Sequence, residues 1–164
     1  MVNFKQFSLL LATTFWGILI GGVVYSHIVF FPKYLHHLPE SNSLLNGEYG
    51  LNEATFWMFI HPITILATII ALVLNRKFKA RKKYISIALI IYVLAIIATA
   101  VYFVPTLLYF ADSSKIANVS SAELLQKGKT WEQLSWIRGA FMFIGFLLMQ
   151  SAMLKNDSAN SSKF

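Results

Sequence analysis

Long apolar stretches alternate with short polar ones along the whole chain. Four of the apolar stretches are long enough to cross a bilayer, which takes about 20 helical residues at a rise of about 1.5 Å each. They cover residues 7–31, 55–75, 84–110 and 131–154. The pattern predicts an all-α protein, an integral membrane antiparallel four-helix bundle that forms a single domain over residues 1–164, with a disordered tail at 156–164.

The composition supports a membrane protein. Hydrophobic residues make up 57% of the 164 residues and charged residues only 13%, which is too apolar for a domain that faces water on all sides. The first apolar stretch is preceded by Lys5 and has no small-residue cleavage site, so we expect a permanent helix rather than a signal peptide. Because the chain has no cysteine, disulfides and thiolate metal ligands are excluded.

Basic residues are concentrated on one side of the predicted bundle. The segment NRKFKARKKY, between the second and third spans, holds six of them. Lys5, Lys155 and Lys163 bring that side to nine, against four in the two opposite loops. From this asymmetry we expect both termini in the cytoplasm. The membrane itself is expected to be a bacterial cytoplasmic membrane. The net charge of +7 is therefore explained by basic residues placed according to membrane topology, and no nucleic-acid partner is expected.

Two glycines of the first span, Gly17 and Gly21, form a GxxxG pair that lets two helix backbones approach closely. Packing within the bundle is the favoured interpretation, and a homo-oligomer is the alternative. The two loops on the opposite side from the termini, residues 32–53 and 111–130, are long enough to cover that end of the bundle.

Three ionisable side chains fall at a shared depth in the apolar stretches. His27 precedes Pro32 by five residues, which puts it roughly 7 Å below the outer surface. His61 lies roughly 9 Å deep in the second span, and Arg138 roughly 10 Å deep in the fourth. Because polar groups inside a bilayer are costly, this coincidence predicts a polar pocket in the outer half of the bundle.

Each of the later spans carries its polar and aromatic residues on a stripe of helical period. The stripes are Glu53, Trp57, His61, Thr64 and Thr68 on the second span, Thr99, Tyr102, Thr106 and Tyr109 on the third, and Trp131, Ser135, Arg138, Met142 and Gly145 on the fourth.

Arg138 has no acidic residue within any of the four apolar stretches to neutralise it, and a guanidinium keeps its charge. The carboxylates of Glu53 and Glu132, at the outer ends of their helices, are close enough in the predicted bundle to pair with the Arg138 guanidinium. The alternative is an ion pair between Arg138 and a bound anionic ligand.

Haem would supply what the pocket lacks. Its iron takes one or two imidazole ligands, its macrocycle suits an aromatic-lined bundle, and its propionates pair with arginine. His27 and His61 are then the candidate metal ligands, while Arg138, Trp57, Trp131 and Trp136 are the other cofactor-binding residues. The cofactor expected first is haem b, and the remaining options are copper, iron or no cofactor at all.

A bare metal ion is a weaker alternative, because zinc or copper wants three or four ligands and the pocket offers two histidines plus Glu53 or Tyr102. His36 and His37 are adjacent in the first outer loop, where a solvated or interfacial role is the favoured interpretation. A quinone or other flat aromatic, stacked on tryptophan, is a further option.

Two segments resemble the anthrone oxygenase-like family of small four-span membrane proteins. They are GGVVYSHIVFFPKYL, at the end of the first span, and KTWEQLSWIRGAFMFIGFLLM, which opens the fourth. The resemblance implies oxygenase chemistry on polycyclic phenols, in a bundle pocket that maps to His61, Trp131, Trp136 and Arg138. The paired histidines of this chain favour a haem protein over a cofactor-free oxygenase.

The leading hypothesis is a haem-binding membrane oxidoreductase that acts on a hydrophobic small molecule or redox partner within the lipid bilayer. His61, Tyr102 and Arg138 are its candidate catalytic residues. One alternative is a cofactor-independent or metal-dependent oxygenase or a quinone-type redox enzyme, in which His61 is the base and Arg138 stabilises an oxyanion. The other is a non-catalytic membrane assembly subunit.

Overall fold

The computed structural model describes residues 3–46, 48–51 and 53–155, and every regular element among them is helical. Four helical segments are long and apolar enough to cross a membrane. They are α1 (Phe4–Leu35), α2 (Glu53–Asn75), α3 (Lys79–Ala111) and α4 (Ser121–Met153). The predicted all-α class with four apolar helices is confirmed, whereas the expected tail at 156–164 lies outside the described residues.

Three short helical elements occupy the connections between the long segments. A 3-10 turn, Glu40–Asn42, and a helical turn, Ser43–Asn46, lie between α1 and α2. A third turn, Ser113–Ile116, follows α3 and is capped by Asp112. Hydrogen bonds from Ser114, together with Lys115, hold the pKa of the Asp112 carboxyl below its usual value.

The long helices extend beyond the apolar stretches from which they were predicted. The largest difference is in α4, which begins at Ser121 rather than near residue 131. Ser120 caps it, because its Oγ accepts a hydrogen bond of 3.3 Å from the Glu123 amide. The added turns are polar, so hydropathy alone did not include them.

The four long helices pack side by side. α1 contacts α2 and α4, while α3 contacts α4 and α2. Asn75 donates to the Lys5 carbonyl at 3.3 Å, and Arg81 donates to the Lys155 carbonyl, so these four chain positions share one end, here called the terminal end. At the opposite, loop end, Asn46 donates to the Ala111 carbonyl at 2.9 Å.

Two clusters of buried residues form the core. The cluster nearer the terminal end includes Trp16 and Tyr92, whose ring centroids lie 5.0 Å apart. The cluster at the loop end includes Phe31 and Trp131, with centroids 4.6 Å apart in an edge-on arrangement. The functional site described below lies where the two clusters meet.

Close packing uses glycines other than the predicted pair. A Cβ at Gly145 would come within 2.6 Å of the Trp16 ring, and one at Gly22 within 2.5 Å of the Phe56 ring. By contrast, a Cβ at Gly17 would make only ordinary contacts and one at Gly21 would meet nothing within 4 Å. The tightest helix approaches therefore do not run through the GxxxG face.

Two wide, π-helical turns interrupt the long helices beside the site. One covers Ser26–Phe30 in α1 and the other Thr99–Phe103 in α3. Each lies just before a proline, Pro32 or Pro105. A proline ring clashes with the carbonyl of the preceding helical turn, and a wide turn relieves that clash. The extra residue in each turn also rotates everything that follows around the helix axis.

Candidate functional site

A cavity of about 860 Å³ opens between the four long helices, towards the loop end. Most of its wall is apolar. Five of the seven candidate site residues line it: His27, Trp57, His61, Trp131 and Arg138. The structure therefore brings together the two histidines and the arginine that the sequence placed at one depth.

His27 lies in the wide turn of α1 and is 2% exposed. Its Nδ1 is 2.7 Å from the Val23 carbonyl oxygen, which can only accept, so Nδ1 carries the proton and Nε2 carries a lone pair. That buried Nε2 has no hydrogen-bond partner among the described residues. The ring is packed against Trp136, at a centroid distance of 4.6 Å, and Phe31.

His61 is held in the same way from another helix. Tyr92 donates its hydroxyl proton to the His61 carbonyl at 3.2 Å, which leaves the phenol oxygen to accept from His61 Nδ1 at 2.9 Å. The ring stacks on Trp57 at 5.6 Å. His61 therefore also keeps its Nε2 lone pair available.

Arg138 enters the cavity from α4. Its Nη1 donates to Thr99 Oγ1 at 2.6 Å and its Nη2 to Ser135 Oγ at 3.0 Å. The guanidinium carbon lies 4.1 Å from the centre of the Phe103 ring. The buried Nε has no hydrogen-bond partner among the described residues, so the two hydroxyls leave part of the guanidinium unsatisfied.

Neither acidic residue proposed from the sequence neutralises Arg138. Glu53 accepts a hydrogen bond of 2.9 Å from Ser26 instead, and Glu132 pairs with His36 Nε2 at 2.7 Å. Within residues 3–46, 48–51 and 53–155, no carboxylate oxygen lies within 4.0 Å of the guanidinium. The alternative in which Arg138 has an internal carboxylate partner is therefore not what the structure shows.

Two predicted site residues lie outside the cavity wall. Tyr102 is 37% exposed and lines a separate surface groove with Thr106 and Tyr109. Trp136 does not line the cavity, although its ring contacts His27 from behind. The reason for the position of Tyr102 is the wide turn, which rotates the later residues away from the stripe expected of a regular α-helix.

The cavity face of α3 shows this rotation directly. One row of its lining residues recurs every four positions, in place of the 3.6-residue period assumed from the sequence, and three further lining residues lie beside that row. The row includes Ala95, Thr99, Phe103, Leu107 and Ala111. Phe103 thus takes the place on this face that the sequence had assigned to Tyr102.

A bare metal site has little support in the part of the chain that the structure describes. No group of three or more His, Cys, Asp or Glu side chains there could hold a metal ion. His36 is paired with Glu132, and His37 is exposed at the loop end.

Sequence reasoning missed three residues that position the site. Tyr92 holds His61, Ser26 holds Glu53, and the Phe103 ring lies under Arg138. Tyr92 could have been found, because it precedes Thr99 by seven residues and so lies on the same helix face. The role of Phe103 depends on the wide turn, for which the sequence gives only the nearby proline as a signal.

The fold and site define an all-helical protein with four membrane-length helices around an apolar, cationic cavity. No family model matches the chain, and no match was found among the curated proteins or the solved structures. The resemblance to the anthrone oxygenase-like family thus remains a prediction from the two sequence segments that carry it.

Proposed function

We propose that the chain is an integral membrane protein, an antiparallel four-helix bundle with both termini in the cytoplasm of a bacterial cell. The four apolar helices support the first part of this proposal. For the orientation, five basic residues are exposed at the terminal end: Arg76, Lys77, Lys79, Lys82 and Lys83. A reporter fused to the C-terminus should be active on the cytoplasmic side, whereas activity on the other side would reverse the orientation and leave the cavity unchanged.

We further propose that the cavity binds haem and that the protein is a haem-binding membrane oxidoreductase. The observation that carries this proposal is a pair of buried polar atoms, His27 Nε2 and Arg138 Nε, for which the described residues offer no hydrogen-bond partner. They belong to side chains on different helices that line one apolar cavity. Buried polar groups are nearly always satisfied, so a ligand with a metal or donor on one side and an anion on the other fits this pair.

The histidines match the environment of metal-binding imidazoles. Such histidines typically donate the N–H of the second ring nitrogen to a carbonyl or a similar acceptor, which fixes the ring and its tautomer. His27 donates to Val23 and His61 to Tyr92. Because the ring nitrogens of haem supply its other iron ligands, one or two imidazoles are enough, and the absence of a third protein ligand is no obstacle.

The remaining wall also suits a flat ligand with an acidic edge. The volume of about 860 Å³ lies within the range of about 300–1,000 Å³ that is usual for small-molecule sites. Trp57 and Trp131 offer aromatic surface, and Arg138 would hold a propionate in a fixed position because Thr99 and Ser135 orient its guanidinium. When bound, haem would supply one-electron and oxygen chemistry.

The test is the absorption spectrum of protein purified in mild detergent from haem-sufficient cells, recorded oxidised and reduced. We expect a Soret band that shifts on reduction and is lost or shifted in His27→Ala or His61→Ala. The matched control is His37→Ala, which removes an exposed loop histidine and should leave the spectrum unchanged. A colourless protein without iron or copper by elemental analysis would refute the haem proposal.

A second candidate is a cofactor-independent oxygenase, which is supported by the free Nε2 lone pair that the Tyr92 hydrogen bond leaves on His61. The Nε2 lone pair of His61 can remove a proton from a polycyclic phenol, and Arg138 can stabilise the resulting anion. Oxidation of a ring CH₂ by O₂ would then give a ring carbonyl and one water. Oxygen uptake by a colourless protein with an anthrone, abolished in His61→Ala, would support this candidate.

A further inference from the structure

The wall of the cavity is incomplete on one side, between α2 and α3. Met58 of α2 and Leu108 of α3 line the cavity, yet they are 67% and 64% exposed. Val104 also lines it and is exposed. Residues of both helices therefore belong at once to the cavity and to the outer surface of the bundle, which describes a lateral opening.

The opening follows from how α2 and α3 pack. Their contacts concentrate on the Lys79–Ala98 section of α3, nearer the terminal end. Beyond the wide turn at Thr99–Phe103, α3 instead faces α2 across the cavity. Met58 and Leu108 lie five and three residues from the loop ends of their helices, or about 8 Å and about 5 Å below that end.

The chemistry of the opening differs from that of the interior. The residues of α2 and α3 that both line the cavity and are exposed are apolar: Ala54, Met58 and Pro62 on α2, and Val104 and Leu108 on α3. The cation lies deeper, where Arg138 is held by Thr99. A molecule that enters here would therefore pass apolar side chains before it reached the Arg138 guanidinium. This route favours a molecule already dissolved in lipid over one arriving from water.

We propose that the opening is a portal through which the cavity takes a lipid-dissolved, flat molecule with an acidic edge. The acidic edge pairs with Arg138, and the apolar body passes between Met58 and Leu108 as the molecule enters. This inference rests on the membrane embedding and the ligand-binding role proposed above, but not on the ligand being haem. It also differs from entry at the loop end, where Leu45 and Leu51 line the cavity.

Pyrenebutyrate is a suitable probe, because it is a flat apolar molecule with one carboxylate. The full chain, expressed in cells that cannot make haem so that the cavity is free for the probe, is reconstituted in phosphatidylcholine vesicles that contain a nitroxide phospholipid. Binding is followed as protection of pyrene emission from the nitroxide. We expect protected probe in the wild type, and an affinity lower by about tenfold or more in Arg138→Gln, because a charged hydrogen bond is lost.

The portal is tested by rates. Met58→Trp and Leu108→Trp place bulk at the opening and should slow association by about tenfold, equivalent to about 1.4 kcal/mol, while the equilibrium occupancy is kept. The matched controls are Leu66→Trp on α2 and Leu94→Trp on α3, exposed apolar positions that do not line the cavity. Both controls should associate at the wild-type rate.

The outcomes separate this inference from the haem proposal. Wild-type rates in both portal variants, or slowing in Leu45→Trp alone, would overturn the lateral route and leave the haem proposal standing. A protein that is colourless when purified from haem-sufficient cells and still binds pyrenebutyrate through the portal would refute the haem proposal and support the portal proposal. Absence of any protected probe in the wild type would overturn the portal.

Discussion

Arg138 and Thr99 join α4 to α3 through a hydrogen bond of 2.6 Å from Nη1 to Oγ1, at the wall of the cavity. Thr99 can accept because its own proton goes to the Ala95 carbonyl at 2.7 Å. Thr99 thus fixes the position of the cation without neutralising it. The guanidinium keeps its charge for a ligand while its geometry is set by neutral partners.

Replacing Thr99 by valine tests this positioning. Thr99→Val keeps the side-chain shape but removes an acceptor from a charged donor, which should lower the free energy of unfolding by about 1.5–3 kcal/mol. The matched control is Thr106→Val on the same helix, because the Thr106 hydroxyl donates only to its own helix, at the Tyr102 carbonyl. Thermal unfolding in detergent measures both, and equal effects of the two variants would contradict the role given to Thr99.

Tyr92→Phe tests how His61 is oriented. The substitution keeps the ring that packs on Trp16 and removes only the hydroxyl that fixes the His61 tautomer. We expect the affinity for haem to fall by about 10- to 100-fold, as is usual when an outer partner of a metal-binding histidine is lost. Haem titration of the apoprotein is the measurement. Tyr102→Phe, outside the cavity, should behave as the wild type, and an equal loss in both would contradict the assignment.

The glycines give opposite predictions for one substitution. Gly145→Ala would drive a methyl group into the Trp16 ring and should destabilise the protein by about 1–3 kcal/mol. Gly21→Ala meets open space and should stabilise it by up to about 1 kcal/mol, through helix propensity. Melting temperatures in the same detergent compare the two. A destabilised Gly21→Ala would show that its face is in contact, as in a homo-oligomer.

Arg81 is a structural residue within the basic segment. It is buried, and its Nε and Nη2 donate to the Lys155 carbonyl at 2.9 and 2.7 Å, which ties α3 to the end of α4. Arg81→Met should cost about 2–3 kcal/mol, since charged hydrogen bonds to a carbonyl are lost. Lys82→Met, at an exposed neighbouring position, should stay within about 0.5 kcal/mol of the wild type in the same unfolding assay.

The four long helices could be predicted because the signal is large and local. An apolar run of helical length needs no tertiary information, so the stretches at 7–31, 55–75, 84–110 and 131–154 each fall within one observed helix or coincide with part of it. The ends could not be predicted as well. The polar turns of α4 before residue 131 are defined by the Ser120 cap and by packing, which hydropathy does not measure.

Depth along a helix was enough to bring His27, His61 and Arg138 to one cavity, because rise per residue is nearly constant. The side of the helix on which a residue lies could not be predicted as reliably as its depth. Tyr102 was assigned inward on a 3.6-residue period, and a single wide turn moved it to the surface. The face of α3 that carries Tyr92 follows from its seven-residue spacing to Thr99, but its pairing with His61 is a contact between helices that the spacing alone does not specify.

Both the haem proposal and the portal require that the cavity hold an anionic ligand paired with Arg138. Native mass spectrometry of the detergent-purified chain tests this claim most directly, because it detects a bound ligand of any chemistry. We predict a bound small molecule on the wild-type protein that is lost from Arg138→Gln but retained by the surface variant Lys82→Met. The same ligand at the same occupancy on Arg138→Gln, or no bound small molecule on any of the three proteins, would contradict the claim.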